Sequence, residues 1–171
     1  MINAVLDYLE NSYRQYSSKV AIVDRERQIT YKELYFDTLQ VACWINSEFD
    51  TMKRPIIVLM NNSECAIASF LGVALSGNIY VPLDAEIPIE RLKIIITTLN
   101  PLCIISCTEK SVEKYQEIYD RKIIKLEEIK EIKPKYNKAF IKKDKIIDSD
   151  PLYILFTSGS TGIPKGVVRQ Y

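Results

Sequence analysis

The run Pro55-Ile56-Ile57-Val58-Leu59-Met60 constrains the fold more than any other stretch of the chain. Every side chain after the proline is apolar, with Arg54 before the run and Asn61-Asn62 after it. A segment this short cannot cross a bilayer, which takes ~20 apolar residues. A strand sends successive side chains to opposite faces, so a set that is apolar on both faces must be covered on both. That is the demand of a central strand in a parallel sheet, with helices above and below it.

The flanking sequence supplies those helices. Ile2, Val5, Leu6 and Leu9, followed by Tyr13 and Tyr16, line one helical face over 2–16. VAIVD at 20–24 and RQIT at 27–30 read as short strands joined by a tight turn through Arg25 and Glu26. Thr30 opens a helix that reaches about Phe49, and Thr30 with Glu33 has the spacing of a capping box. Asn61, Asn62 and Ser63 form a turn, with Ser63 placed to cap the helix that follows and Gly77 placed to end it. NIYVPLD at 78–84 is a strand broken at Pro82, and Pro88 suits the first turn of a helix reaching about Asn100. LCIISC at 102–107 is a strand, a helix lies near 109–119, KIIKL is a strand and EEIKEI a short helix. Lys133 to Asp150 is rich in lysine and reads as a solvated surface connection, and LYILF at 152–156 begins a new strand. The sum is an α/β layered fold with a mainly parallel sheet and helices on both faces. Its parallel strands are expected near 55–60, 79–83, 102–106 and 152–157.

Charge and composition exclude several classes of function. The 171 residues carry a net charge of +1, so no overall field favours nucleic acid or an anionic membrane. No apolar run is long enough to span a membrane, and the N-terminus is too acidic for a signal peptide. The chain therefore reads as cytoplasmic. There is no histidine, which removes Ser-His-Asp and Cys-His catalysis and every His-containing metal site. Four cysteines occur, Cys43, Cys65, Cys103 and Cys107. Nothing marks a secreted disulfide framework, and Cys103 and Cys107 read as small buried core thiols rather than metal ligands. No metal ligand set is assigned.

The chemistry lies in Leu152–Val167, LYILFTSGSTGIPKGV. An apolar strand runs into Thr157-Ser158-Gly159-Ser160-Thr161-Gly162 and then Ile163-Pro164-Lys165-Gly166. Hydroxyls and glycines at this density cannot build a core, but they can bind an oxyanion. Gly159 and Gly162 permit positive φ and close backbone approach, so consecutive N–H groups can face one concavity. Thr157, Ser158, Ser160 and Thr161 add hydroxyl donors, Pro164 fixes the backbone, and Lys165 adds a compact positive charge. This is chemistry suited to a polyphosphate. The order Pro164-Lys165-Gly166 does not fit a Walker A loop, Gly159-x-x-Gly162 lacks the first glycine of a dinucleotide fingerprint, and Ser160 is not in a nucleophile elbow. A plain Ser/Gly-rich hairpin loop between two strands is the bland alternative.

The segment Thr-Ser-Gly-Ser-Thr-Gly-x-Pro-Lys-Gly resembles the signature loop of the adenylate-forming superfamily, the AMP-dependent synthetases and ligases. Ile29-Thr30-Tyr31-Lys32-Glu33-Leu34 resembles the family's early helix-opening segment. Phe70 to Gly77 with Tyr80-Val81-Pro82-Leu83-Asp84, and then Pro88-Ile89-Glu90-Arg91-Leu92, resemble two further segments in the same order and spacing. The Tyr-Val-Pro-Leu-Asp form is closer to amino-acid activators, the adenylation domains of nonribosomal peptide synthetases and the D-alanine–carrier-protein ligases, than to fatty acyl-CoA ligases. The upstream motifs read as structural: Tyr31 and Glu33 at a helix start, Gly72 at a close helix contact, Pro82 and Asp84 at a turn.

The resemblance implies an ATP-dependent ligase, with Mg2+ accompanying ATP. A small carboxylic acid, an amino acid by the motif, is activated as an acyl-adenylate and passed to the phosphopantetheine thiol of a carrier protein. Thr157, Ser158, Gly159, Ser160, Thr161, Gly162 and Lys165 would hold the β- and γ-phosphates, with Lys165 the catalytic cation beside the leaving pyrophosphate. It further implies that residues 1–171 form the N-terminal portion of an adenylation domain, with a polar connection near 133–150 and the phosphate loop at 157–166. Such a portion is expected to be inactive alone, and the alternative is a noncatalytic binding or interaction module derived from such an enzyme. Tyr171 falls where many relatives place a histidine, which puts a pocket-side role for that position in doubt.

Overall fold

The computed structural model describes residues 5–24, 27–61, 63–132, 142, 145–157 and 164–171. Helix α1 (Val5–Tyr16) precedes a two-stranded antiparallel sheet of β1 (Val20–Val23) and β2 (Gln28–Thr30). Then follow α2 (Tyr31–Glu48), β3 (Pro55–Met60), α3 (Glu64–Leu75), β4 (Ile79–Asp84), α4 (Ile89–Leu99) and β5 (Ile104–Ser106). The chain continues through α5 (Glu109–Tyr115), β6 (Ile123–Lys125), α6 (Leu126–Ile132), β7 (Pro151–Thr157) and β8 (Lys165–Gln170). The main sheet has the order β6-β5-β3-β4-β7-β8, and every neighbouring pair is parallel except β7 with β8.

The central strand behaves as its sequence demands. Ile56 and Val58 enter a core with Val41 and Trp44 of α2 and Ala68 and Val73 of α3. Ile57 and Leu59 enter a second core with Leu92 and Ile95 of α4 and Tyr115 of α5. The four are fully buried, and so the sheet is covered on both faces as expected. All four strands expected to be parallel are parallel members of this sheet.

Local details both match and depart from expectation. The capping box forms in full: Glu33 N–H donates to Thr30 Oγ1 at 3.2 Å and Thr30 N–H donates to Glu33 Oε2 at 2.7 Å. Gly77, with φ +81, follows the C-cap Ser76 of α3. Ser63 occupies the N-cap position of α3, but its hydroxyl donates to Asn61 Oδ1 at 2.6 Å instead of capping. Pro82 does not break β4, which runs on to Asp84. The strand is laddered continuously to β3 but to β7 only at Tyr80↔Tyr153, so the missing N–H is tolerated. Pro88 is the N-cap of α4 rather than part of its first turn.

The polar stretch after α6 is exposed at Lys145 and over 147–149, as expected of a solvated connection, but not at Lys142 and Asp150. Lys142 is buried, and its ammonium donates to Asp50 Oδ1 at 2.9 Å and to the Thr51 carbonyl at 3.3 Å. Asp150 is buried as well and pairs with Lys53 Nζ at 2.7 Å, which holds its carboxyl below the ordinary aspartate range. A solvated connection is therefore the wrong description of these two positions. Most of the remainder, residues 133–141, 143 and 144, lies outside the described residues. No described helix is long and apolar enough to cross a membrane.

Candidate functional site

Thr157 is the last residue of β7 and Lys165 the first of β8, and the antiparallel register sets them directly opposite each other. Opposed residues of an antiparallel pair project to the same face of the sheet. The ladder thus brings a hydroxyl and an ammonium together at the two ends of the Ser/Thr/Gly loop. Both residues are exposed. Ser158, Gly159, Ser160, Thr161 and Gly162 lie outside the described residues, so of the expected site residues the structure positions Thr157 and Lys165.

The position of this pair in the sheet is informative. β7 runs parallel to β4, so Thr157 stands at the C-terminal edge shared with Met60, Asp84 and Ser106, the last residues of β3, β4 and β5. Open α/β sheets bind their ligands beyond that edge. Two contacts hold β7 in place. Tyr80 of β4 stacks between Phe70 and Tyr153, with ring centroids 4.8 and 5.3 Å apart. Burial pushes the Tyr80 phenol up to about 12, so it stays neutral in this stack. The Lys53–Asp150 pair fixes the entry to β7.

β7 and β8 form an antiparallel hairpin, the arrangement supposed by the bland alternative, and the sequence reading otherwise assigns β8 no place in the sheet. Its available signal was the β-branched pair Val167-Val168 just after the lysine. It also left Gly166 without a role. A Cβ at 166 would lie 3.1 Å from Ile154 Cγ2 and 3.2 Å from Phe156 Cζ, so the glycine lets β8 lie close over Phe156 and keeps Lys165 opposite Thr157. Tyr171 turns away from the loop end of the hairpin. Its hydroxyl donates to the Ala74 carbonyl at 3.0 Å and its N–H to the Asp150 carbonyl at 3.3 Å. Among the described residues, no group of three or more His, Cys, Asp or Glu could hold a metal ion.

The described architecture is a parallel α/β sheet in which a hydroxyl- and glycine-rich segment follows the C-terminal end of β7. The chain belongs to the AMP-binding enzyme family, whose model matches residues 9–171. It is 31% identical over 148 residues to the D-alanine--D-alanyl carrier protein ligase of Lactococcus lactis subsp. lactis (strain IL1403), covering 86% of this chain and 29% of that protein. It is 31% identical over 168 residues to the ligase of the same name from Bacillus cereus (strain AH187), covering 98% and 32%. The chain therefore spans about a third of the length of these curated relatives. Among solved structures, VinN superposes with a TM-score of 0.81 at 21% identity, over 99% of this chain and 46% of that one. A fatty acyl-adenylate ligase from L. pneumophila, in complex with acyl adenylate and pyrophosphate, gives 0.81 at 21% identity, over 96% and 30%. McyG A-PCP complexed with phenylalanyl-adenylate gives 0.81 at 22% identity, over 98% and 28%. At these identities the likeness speaks for the fold.

Proposed function

We propose that this chain forms the pyrophosphate-holding portion of an ATP-dependent ligase. The ligase would activate an amino acid, or another small carboxylic acid, as an acyl-adenylate and transfer it to the phosphopantetheine thiol of a carrier protein. The observation that carries the reading is the cross-strand pairing of Thr157 with Lys165, which closes the Ser/Thr/Gly loop at the C-terminal end of a parallel strand. The names of the curated relatives support the choice of acyl acceptor, and acyl-adenylate complexes among the structural neighbours support the use of ATP.

In this reading the hydroxyls of Thr157, Ser158, Ser160 and Thr161 donate to the β- and γ-phosphates. Gly159 and Gly162 keep the backbone N–H groups free to do the same. Lys165 stands beside the leaving pyrophosphate and stabilises the charge that develops as the α–β bond breaks. Mg2+ would arrive with the nucleotide, and no residue of this chain is assigned to it. Alignment of the acid with the α-phosphorus needs further groups, so residues 1–171 alone are expected to hold polyphosphate without completing activation.

Calorimetric titration of the purified chain with magnesium pyrophosphate tests the reading. Saturable binding is expected, weakened roughly tenfold or more in Lys165→Ala, because hydrogen bonds to charged groups contribute about 1.5–3 kcal/mol. Absence of binding would remove the loop from this role, and equal binding by both proteins would remove Lys165 from it.

A further inference from the structure

The cysteines depart from their expected reading. Cys103 is a buried thiol, pushed far up by desolvation and unreactive, but Cys107 is joined to Cys65 in a disulfide. The bond spans a defined place in the fold. After β3 the chain turns into α3 on one face of the sheet, and after the neighbouring β5 it turns into α5 on the other. Such a divergence opens a crevice beyond the strand ends. Cys65 lies in the first turn of α3 and Cys107 just past β5, with 5.7 Å between their α-carbons, so their bond ties the two sides of that crevice together. The same turn of α3 is held from outside by Glu64, which pairs with Arg27 at 3.2 Å.

We propose that Cys107 is a site of reversible thiol oxidation, resolved by Cys65, and that the pair acts as a redox lock on the C-terminal rim of the sheet. The two thiols differ in the way such chemistry requires. Cys107 is half-buried and can meet a soluble disulfide, whereas Cys65 is 5% exposed and is reached only from within. A Cys107 thiolate attacks one sulfur of glutathione disulfide and releases one glutathione thiolate, leaving a mixed disulfide on Cys107. The Cys65 thiolate then attacks the Cys107 sulfur and expels the second glutathione. Two cysteine thiols lose two protons and two electrons, and one glutathione disulfide becomes two glutathiones. In the reverse direction a reductant attacks the half-buried Cys107 sulfur, and Cys65 is the leaving group. Its place in the first turn of a helix stabilises that departing thiolate. The loop closed by the bond has a sequence separation of 42, long enough for the link to constrain the unfolded chain strongly.

The test is to equilibrate the reduced, folded chain in glutathione buffers of rising disulfide fraction, quench with acid, alkylate after unfolding and map the peptides. The lock predicts one cross-link, Cys65 to Cys107, with Cys43 and Cys103 recovered as alkylated thiols. It predicts a glutathione adduct on Cys107 in Cys65→Ala, where the resolving thiol is gone, and no adduct on Cys65 in Cys107→Ala. Reduction of the wild-type chain should lower its Tm by roughly 10 °C. If either variant fails to fold, the wild-type comparison with and without reductant stands on its own. Four free thiols under oxidising buffer, scattered cross-links, no adduct on Cys107, or a Tm indifferent to reductant would each overturn the proposal.

Discussion

Gly72 shows how much a single missing side chain contributes to the fold. It faces α2 from within α3, and a Cβ there would fall inside the contact distance of Val41 Cβ and Cγ1 and 3.0 Å from the Thr38 carbonyl oxygen. Val41 is fully buried and cannot swing aside. Gly72→Ala should therefore destabilise the protein despite the ~1 kcal/mol that alanine contributes to a helix. Overpacking typically costs about 1–3 kcal/mol. Urea unfolding should show a lower midpoint with an unchanged slope. A raised midpoint would mean that α2 and α3 separate freely, and the close-contact role of the glycine would be wrong. Gly166 sits under a similar constraint, but its neighbours are the γ-methyl of Ile154 and the ring edge of Phe156, at 3.1 and 3.2 Å. Its effect is expected in the placement of Lys165 more than in stability.

At the scale of the element, the capping box of α2 makes a prediction with a definite sign. The Glu33 carboxyl is held below the ordinary glutamate range, first by the backbone N–H of Thr30 and then by its hydroxyl. A depressed folded-state pKa stabilises at pH values above the unfolded pKa, and the contribution fades as pH falls through the folded pKa. Glu33→Gln should be less stable than the wild type at neutral pH, and the gap should close on acidification through that range. A gap that persists in acid would place the effect in packing. Thr30→Ala removes the hydroxyl that accepts from Glu33 N–H and should cost about 1 kcal/mol at neutral pH. This element was legible because its signal is local: two residues three apart, followed by an apolar periodicity. The central strands were legible for a similar reason, since apolar residues on both faces leave them few other fates. What the sequence hid was non-local. β8 carries little internal pattern and is a strand because β7 offers it an edge, and Pro82 stays in β4 because its missing N–H meets a sparse ladder. Cys65 and Cys107 meet only once β3 and β5 are neighbours. At the candidate site, the residue types are an expectation from the sequence, and the structure adds the opposition of Thr157 and Lys165.

For the whole molecule, the parallel sheet carries five strand ends to one edge and the β7–β8 hairpin carries Lys165 back to it. The lysine is exposed at the start of β8. In a full-length ligase carrying this segment, Lys165→Ala should slow adenylation more than it weakens ATP binding. Pyrophosphate gains charge as the α–β bond breaks, so a cation beside it matters more in the transition state than in the ground state. Removal of one such preorganised contact typically costs ~10²–10³ in rate, or roughly 3–4 kcal/mol. Thr161→Ala should cost less, because a neutral donor is lost and water can take its place. Steady-state kinetics with ATP as the varied substrate distinguish the two roles. A fall in kcat with KM for ATP nearly unchanged is the expected result for Lys165→Ala. A raised KM with kcat intact would make the lysine a uniform binder, and its catalytic role would be withdrawn. If neither parameter moved, Lys165 would be an ordinary surface lysine, and the phosphate-binding function would rest on the hydroxyls and backbone of the loop.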